Sequence, residues 1–194
     1  MKNMDRLSIF LIPIGVAINF IGAQIALLLK LPVFLDAIGT IALGALCGGL
    51  PGAIVGVVSN TINSITYPPY VWYGVISAIY AVLAAYLSRK KIFCSLWKSL
   101  AAALVFAVIG GTLNSIITWL LFGFDFSPDT TTIFAIPLHT VLGLPKFAAQ
   151  MIAAIGMDIV DKLLSVLAVF FILRSMPNRF LTKLKLGEFY IKKG

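Results

Sequence analysis

Asp158, Asp161 and Lys162 stand near the middle of the apolar stretch that runs from Lys146 to Met176. A charge at that depth of a membrane helix costs about 2.5–3.5 kcal/mol on insertion scales, so it is normally paired or turned to a cavity. Asp158 precedes Lys162 by four residues, the favourable order for an ion pair on one helix face. Asp161 has no evident mate. The group reads either as an internal salt bridge or as a polar ligand contact or proton relay.

A second set of residues offers recognition chemistry. Asn60 and Asn63 lie three apart, Asn114 is followed by Thr118 and Trp119, and Lys146 is followed by Gln150. An amide facing lipid is costly and must find a partner. Neutral amides and rings are also the groups with which a pocket holds a small heteroaromatic ligand. The expected ligand shell is Asn60, Asn63, Trp72, Tyr73, Asn114 and Gln150, with Asp36 and Lys146 at its mouth. Tyr67 and Tyr70 join Trp72 and Tyr73 at one boundary, where an aromatic belt explains such rings equally well. His139 stands alone, and the cysteines Cys47 and Cys94 have no metal-ligand spacing and no expectation of a disulfide. No phosphate-binding loop, metalloprotease motif or nucleophile elbow is present, so the chain is not expected to be an enzyme.

The elements that must position these residues follow from composition. Of 194 residues 60% are hydrophobic and 11% charged, with mean hydropathy +1.04. Residues 37 to 88 form a run of 52 without one charged side chain. That run is too apolar for a soluble domain and too long for one crossing of roughly 20 residues. The expectation is an all-α polytopic membrane protein, one integral membrane domain over residues 1–194. Its six-transmembrane-helix bundle comprises Leu7–Leu29, Phe34–Gly49, Pro51–Thr66, Tyr70–Ser88, Leu96–Phe122 and Lys146–Met176. The first is read as a retained helix rather than a signal peptide. The second and third are short and either cross a thinned region or leave a funnel open at one end, with a re-entrant pair as the competing reading. Ile133–Leu144 is expected to form a short outer cap.

Net charge is +8, but 12 of the 15 basic residues cluster at the N-terminus, between helices four and five, and at the C-terminus. Such clusters mark cytoplasmic loops rather than a nucleic-acid surface, and place both termini of a multi-pass cell-membrane protein in the cytoplasm. Gly44, Gly48, Gly52 and Gly56 recur every four residues, a spacing that lets helix backbones approach closely in lipid. Gly15, Gly22, Ala23 and Ala26 make a second small-residue surface on helix one, suited to internal packing or to docking a partner.

Size, six helices, Leu35-Asp-Ala-Ile-Gly-Thr40 and Leu43-Gly-Ala-Leu-Cys-Gly-Gly-Leu-Pro-Gly-Ala-Ile-Val-Gly56 with the following Asn60 together resemble the substrate-binding S components of energy-coupling factor (ECF) transporters. Asp161-Lys-Leu-Leu-Ser165 and Met176-Pro-Asn-Arg-Phe180 look like the last helix of such proteins. The resemblance implies a receptor that captures a vitamin-like or nucleobase-like nutrient at the outer side. It would dock on a transmembrane coupling protein whose two ATPase subunits hydrolyse ATP, and would hold no cofactor itself. Members of that family dock through an Ala-x-x-x-Ala face on helix one; here Gly22-x-x-x-Ala26 stands in its place, which makes Gly15, Gly22, Ala23 and Ala26 the expected docking residues. No riboflavin, thiamine, biotin or folate signature is present, so the ligand stays open. A sensory or structural membrane module and a stand-alone ion-coupled carrier are the alternatives.

Overall fold

The apolar runs become helices and the polar breaks become their ends. A computed structural model describes residues 6–191. Its α-helices are α1 (Arg6–Leu28), α2 (Ile38–Cys47), α3 (Gly49–Asn63), α4 (Tyr70–Arg89), α5 (Leu96–Leu121), α6 (Thr130–Thr140), α7 (Lys146–Ser175) and α8 (Asn178–Leu181). No strand occurs among the described residues. The loops after α1, α3 and α5 gather at one end of the bundle with α6. The opposite end holds the α2–α3 turn, the α4–α5 connection and the C-terminal segment.

α1, α4 and α5 are long and apolar enough to cross a membrane, and they mark the chain as a membrane protein. Their outward faces carry Phe10, Ile14, Ile21 and Ile25 on α1, Val75 and Val82 on α4, and Leu104 and Val108 on α5, all exposed. Apolar side chains at helical spacing on an outer surface suit hydrocarbon, not water. α7 follows the same rule. Ile152, Val160, Leu164 and Phe171 face out, while Asp158, Asp161 and Lys162 face in and are buried.

One difference from the sequence expectation and two features it did not specify have physical causes. The second helix starts at Ile38, not Phe34, because the Phe34 and Leu35 amides donate to Asp161 Oδ1 at 2.9 and 2.7 Å instead of entering a helix. α1 is closed by Lys30, whose φ of 50° lets Leu31 N–H reach back to Ala26 O at 2.9 Å; this is a left-handed helix cap. The segment 29–37 is therefore a non-helical loop that is exposed at Leu29, Lys30 and Pro32 and buried at Val33 and Ala37. Third, the basic C-terminal segment is folded back rather than free. Leu186 N–H donates to Leu46 O at 2.9 Å, Cys94 Sγ to Phe189 O at 3.3 Å, and Ser88 bonds Tyr190 at 2.7 Å.

The small residues are consumed by internal contacts. Gly48 turns α2 into α3 with a φ of 104°, a conformation that favours glycine. A Cβ at Gly44 or Gly52 would crowd Ala81, and one at Gly56 would crowd Ser77. The docking expectation for α1 meets the same geometry. A Cβ at Gly22 would overlap the Leu35 carbonyl, Gly15 packs on Leu43 and Val55, and Ala23 and Ala26 are buried. Gly15, Gly22, Ala23 and Ala26 thus face inward, so this surface is not open to a partner.

Asn19, unremarked in the sequence, joins three helices. Its Nδ2 donates to Thr40 Oγ1 at 2.8 Å and Ser59 Oγ at 3.2 Å, and its Oδ1 accepts from Gly39 N–H at 2.7 Å. All of this is buried. Replacing Asn19 with alanine strands the Gly39 donor and takes the Asn19 bond from Thr40, while Ser59 keeps its bond to Val55 O. The expected loss is about 1–3 kcal/mol, read as a lowered melting temperature in detergent. An unchanged melt would show that these groups find other partners.

Candidate functional site

Burying a charge demands opposite charge and hydrogen bonds, and α7 supplies both within one turn. Lys162 Nζ lies 3.4 Å from Asp158 Oδ1 and also pairs with Asp161. It sits 5.0 Å from the centroid of the Tyr80 ring. Tyr80 in turn donates to Asp158 Oδ2 at 3.2 Å. Asp161, which had no evident mate in the sequence, has three: Lys162 and the backbone amides of Phe34 and Leu35. Those amides are 126 and 127 residues away, beyond the reach of any local pattern. Leu35 takes a left-handed φ of 53° there, uncommon for a branched side chain. The neighbouring Asp36 is thereby presented to the interior.

What it faces is a cavity of about 240 Å3. Tyr80, Gly110, Asp158 and Lys162 form its deep end, in the middle of α4, α5 and α7. Tyr73, Ile76, Ser77 and Asn114 line the walls, and Ala26, Leu27, Leu31 and Asp36 close the α1 side. Tyr67, Tyr70, Pro128, Asp129 and Thr130 lie at the loop end. The tyrosines stack edge to face, Tyr67 on Tyr70 at 5.7 Å and Tyr70 on Tyr73 at 6.3 Å between centroids. Tyr73 Oη meets Thr118 Oγ1 at 2.8 Å, and Thr118 donates to Asn114 Oδ1 at 3.1 Å.

Three polar groups on the cavity keep bonding capacity to spare. Asp36 has no ion pair among the described residues. Asp129 caps α6 by accepting from Thr132 N–H at 3.2 Å, again with no ion pair among the described residues. The Tyr67 hydroxyl is buried without a hydrogen-bond partner among the described residues. Burial first, and the Asp129 carboxylate second, push the Tyr67 phenol above its ordinary range, so it stays protonated.

Of the residues expected in the ligand shell and at its mouth, Asp36, Tyr73 and Asn114 line the cavity. Asn60 lies behind its wall, donating to Ser77 Oγ at 2.8 Å and Gly56 O at 2.9 Å. Asn63 accepts from Gln24 at 3.4 Å, and Gln150 is buried on α7 without lining the cavity. Trp72 points away from it, 58% exposed. Lys146 is at the surface, paired with Asp125 at 2.8 Å. The hydrogen bonds from Lys146 and then Phe126 N–H hold the Asp125 carboxyl below its usual range.

Sequence reasoning missed Tyr80 and Asp129, and left Tyr67, Tyr70, Asp158 and Lys162 out of the ligand shell. One signal was available. Tyr70, Tyr73, Ser77 and Tyr80 recur at spacings of three and four, a single polar-aromatic stripe on α4. Among the described residues no His, Cys, Asp and Glu group could hold a metal ion. Comparisons with protein-family models, with curated proteins and with solved structures each found no match.

Proposed function

We propose that this chain is the substrate-binding membrane subunit of an energy-coupling-factor-type importer. It captures a small nutrient in the tyrosine- and carboxylate-lined cavity and hands it on with partners that hydrolyse ATP. The observation that carries this reading is the cavity itself. It holds unpaired polar groups, reaches the middle of the bundle, and has its loop end opposite the basic cluster. Lys and Arg mark cytoplasmic loops. Arg89, Lys90, Lys91, Lys98, Arg174, Arg179, Lys183 and Lys185 are all at one end, and Asp125 and Asp129 at the other. The cavity end is then external and both termini are cytoplasmic.

In this arrangement α1 to α5 and α7 make six crossings. α2 has 10 residues, about 15 Å at 1.5 Å per residue. The segment 33–37 completes its crossing, non-helical backbone that is tolerated at depth because Val33 and Ala37 are buried and Asp161 takes the Phe34 and Leu35 amides. The chain has no nucleotide-binding motif, so ATP hydrolysis belongs to a transmembrane coupling protein with two ATPase subunits.

Purification from native membranes is expected to recover that ATPase pair. Uptake into proteoliposomes by the chain alone, abolished when an ion gradient is dissipated, would replace this reading with an ion-coupled carrier. The buried Asp158–Lys162 pair gives that second reading its footing, since charges at mid-membrane mark coupling groups in such carriers. Orientation is tested by cysteine labelling in a variant lacking Cys47 and Cys94. A cysteine at position 125 is expected to react from outside intact cells, and one at position 91 is not.

A further inference from the structure

We infer that the cavity takes a small organic cation, an amine or quaternary nitrogen carried on a compact aromatic or apolar body. This rests on the cavity being the binding site and adds the charge of its ligand. Among the described residues Lys162 is the one basic side chain on the lining, and its ammonium is already engaged by Asp158, Asp161 and the Tyr80 ring. An anionic ligand would therefore find no free cation there, and would meet the carboxylates of Asp36, Asp129 and Asp158. A neutral ligand would leave Asp36 to share the single charge of Lys162 with Asp158 and Asp161, an expensive state for buried carboxylates.

A cation satisfies both conditions, and the rest of the lining suits it. Tyrosine faces attract ammonium groups, most strongly where water is excluded. Tyr67 and Tyr70 share the loop end with Asp129, and Tyr73 lines the wall on the way to Asp158, so the path inward carries both rings and carboxylates. A bare metal ion fits less well, since no ligand cluster able to hold one exists among the described residues. The volume of 240 Å3 equals that of about eight liquid waters, room for one small ring and its charged substituent.

The test uses the full chain in lipid nanodiscs and three probes of similar size: benzyltrimethylammonium, benzyl alcohol and benzoate. The cation is expected to bind at least about tenfold more tightly than either of the others. Asp36→Asn should weaken the cation about tenfold and leave benzyl alcohol unchanged. Asp129→Asn, which keeps a capping side chain on α6, should weaken it less. Asp36 makes no ion pair among the described residues, so its variant is expected to fold; the wild-type selectivity stands as a readout in any case. Equal or tighter binding of benzoate or benzyl alcohol overturns the charge assignment, as does no cation binding at millimolar concentration. Gly110→Ala separates the two readings, because its added methyl narrows the deep end for a ligand of any charge. Cation binding that ignores Gly110→Ala places the site outside the cavity and overturns both. A neutral or anionic probe that is preferred, and is lost in Gly110→Ala, overturns only the charge.

Discussion

Lys162→Met is expected to destabilise the protein by about 3–5 kcal/mol, because it leaves two buried carboxylates facing each other without a cation. For a chain of this size each kcal/mol moves the melting temperature by about 2–4 °C, so the loss should be plain in a thermal melt. Asp158 and Asp161 are both almost fully buried, so neither can relax into water. Asp161 also anchors the Phe34 and Leu35 amides. Repulsion from Asp158 would loosen segment 29–37 and with it Asp36, so ligand binding should fall together with stability. A second variant isolates the cause. Asp158→Asn added to Lys162→Met removes one of the stranded charges and should recover part of the loss, a non-additivity expected of groups in contact. If Lys162→Met melts within about 2 °C of the wild type, the carboxylates are not held by the lysine.

The sequence carried the helices well and the site poorly, for a reason visible at particular residues. Helix existence is a local property. Apolar periodicity and Gly–Pro breaks placed Tyr70–Arg89, Leu96–Leu121 and Lys146–Ser175 to within a residue or two of their ends. The start of α2 was missed because its determinant, Asp161, is more than a hundred residues away. A run such as Phe34-Leu35-Asp36 has nothing in it to say that its amides will be claimed by another helix. The asparagines show the converse. Asn60 is polar, membrane-embedded and suggestive, yet its amide serves Ser77 and Gly56 inside the helix packing. Side-chain type says that an amide needs a partner; only packing says whether the partner is protein or ligand. Asp158 and Lys162 were legible as a pair, and their place on the cavity depends on Gly110 opposite them, which no spacing on α7 could reveal.

Gly110 is accordingly where the smallest change should do the most to binding. A Cβ built on it would overlap the Tyr80 hydroxyl and Asp158 Oδ2. In Gly110→Ala the tyrosine ring must swing aside, and the space open to it is the cavity. The Tyr80–Asp158 hydrogen bond breaks, and the deep end loses both volume and a fixed carboxylate. A ligand that uses the deep end must then overpack it, at a cost of about 1–3 kcal/mol, which predicts a loss of affinity of about 5- to 150-fold. The helix itself should tolerate alanine, the best helix former. Its neighbour is the control. A Cβ at Gly111 would stand 2.6 Å from the Ile155 Cα, so Gly111→Ala must push the α7 backbone away from α5. Overpacking of that kind costs about 1–3 kcal/mol of stability. Adjacent glycines on one helix are thus expected to separate, Gly110→Ala lowering affinity more than melting temperature and Gly111→Ala the reverse. Equal effects of the two on binding would mean that the ligand senses the α5–α7 distance and not the Tyr80–Asp158 end of the cavity.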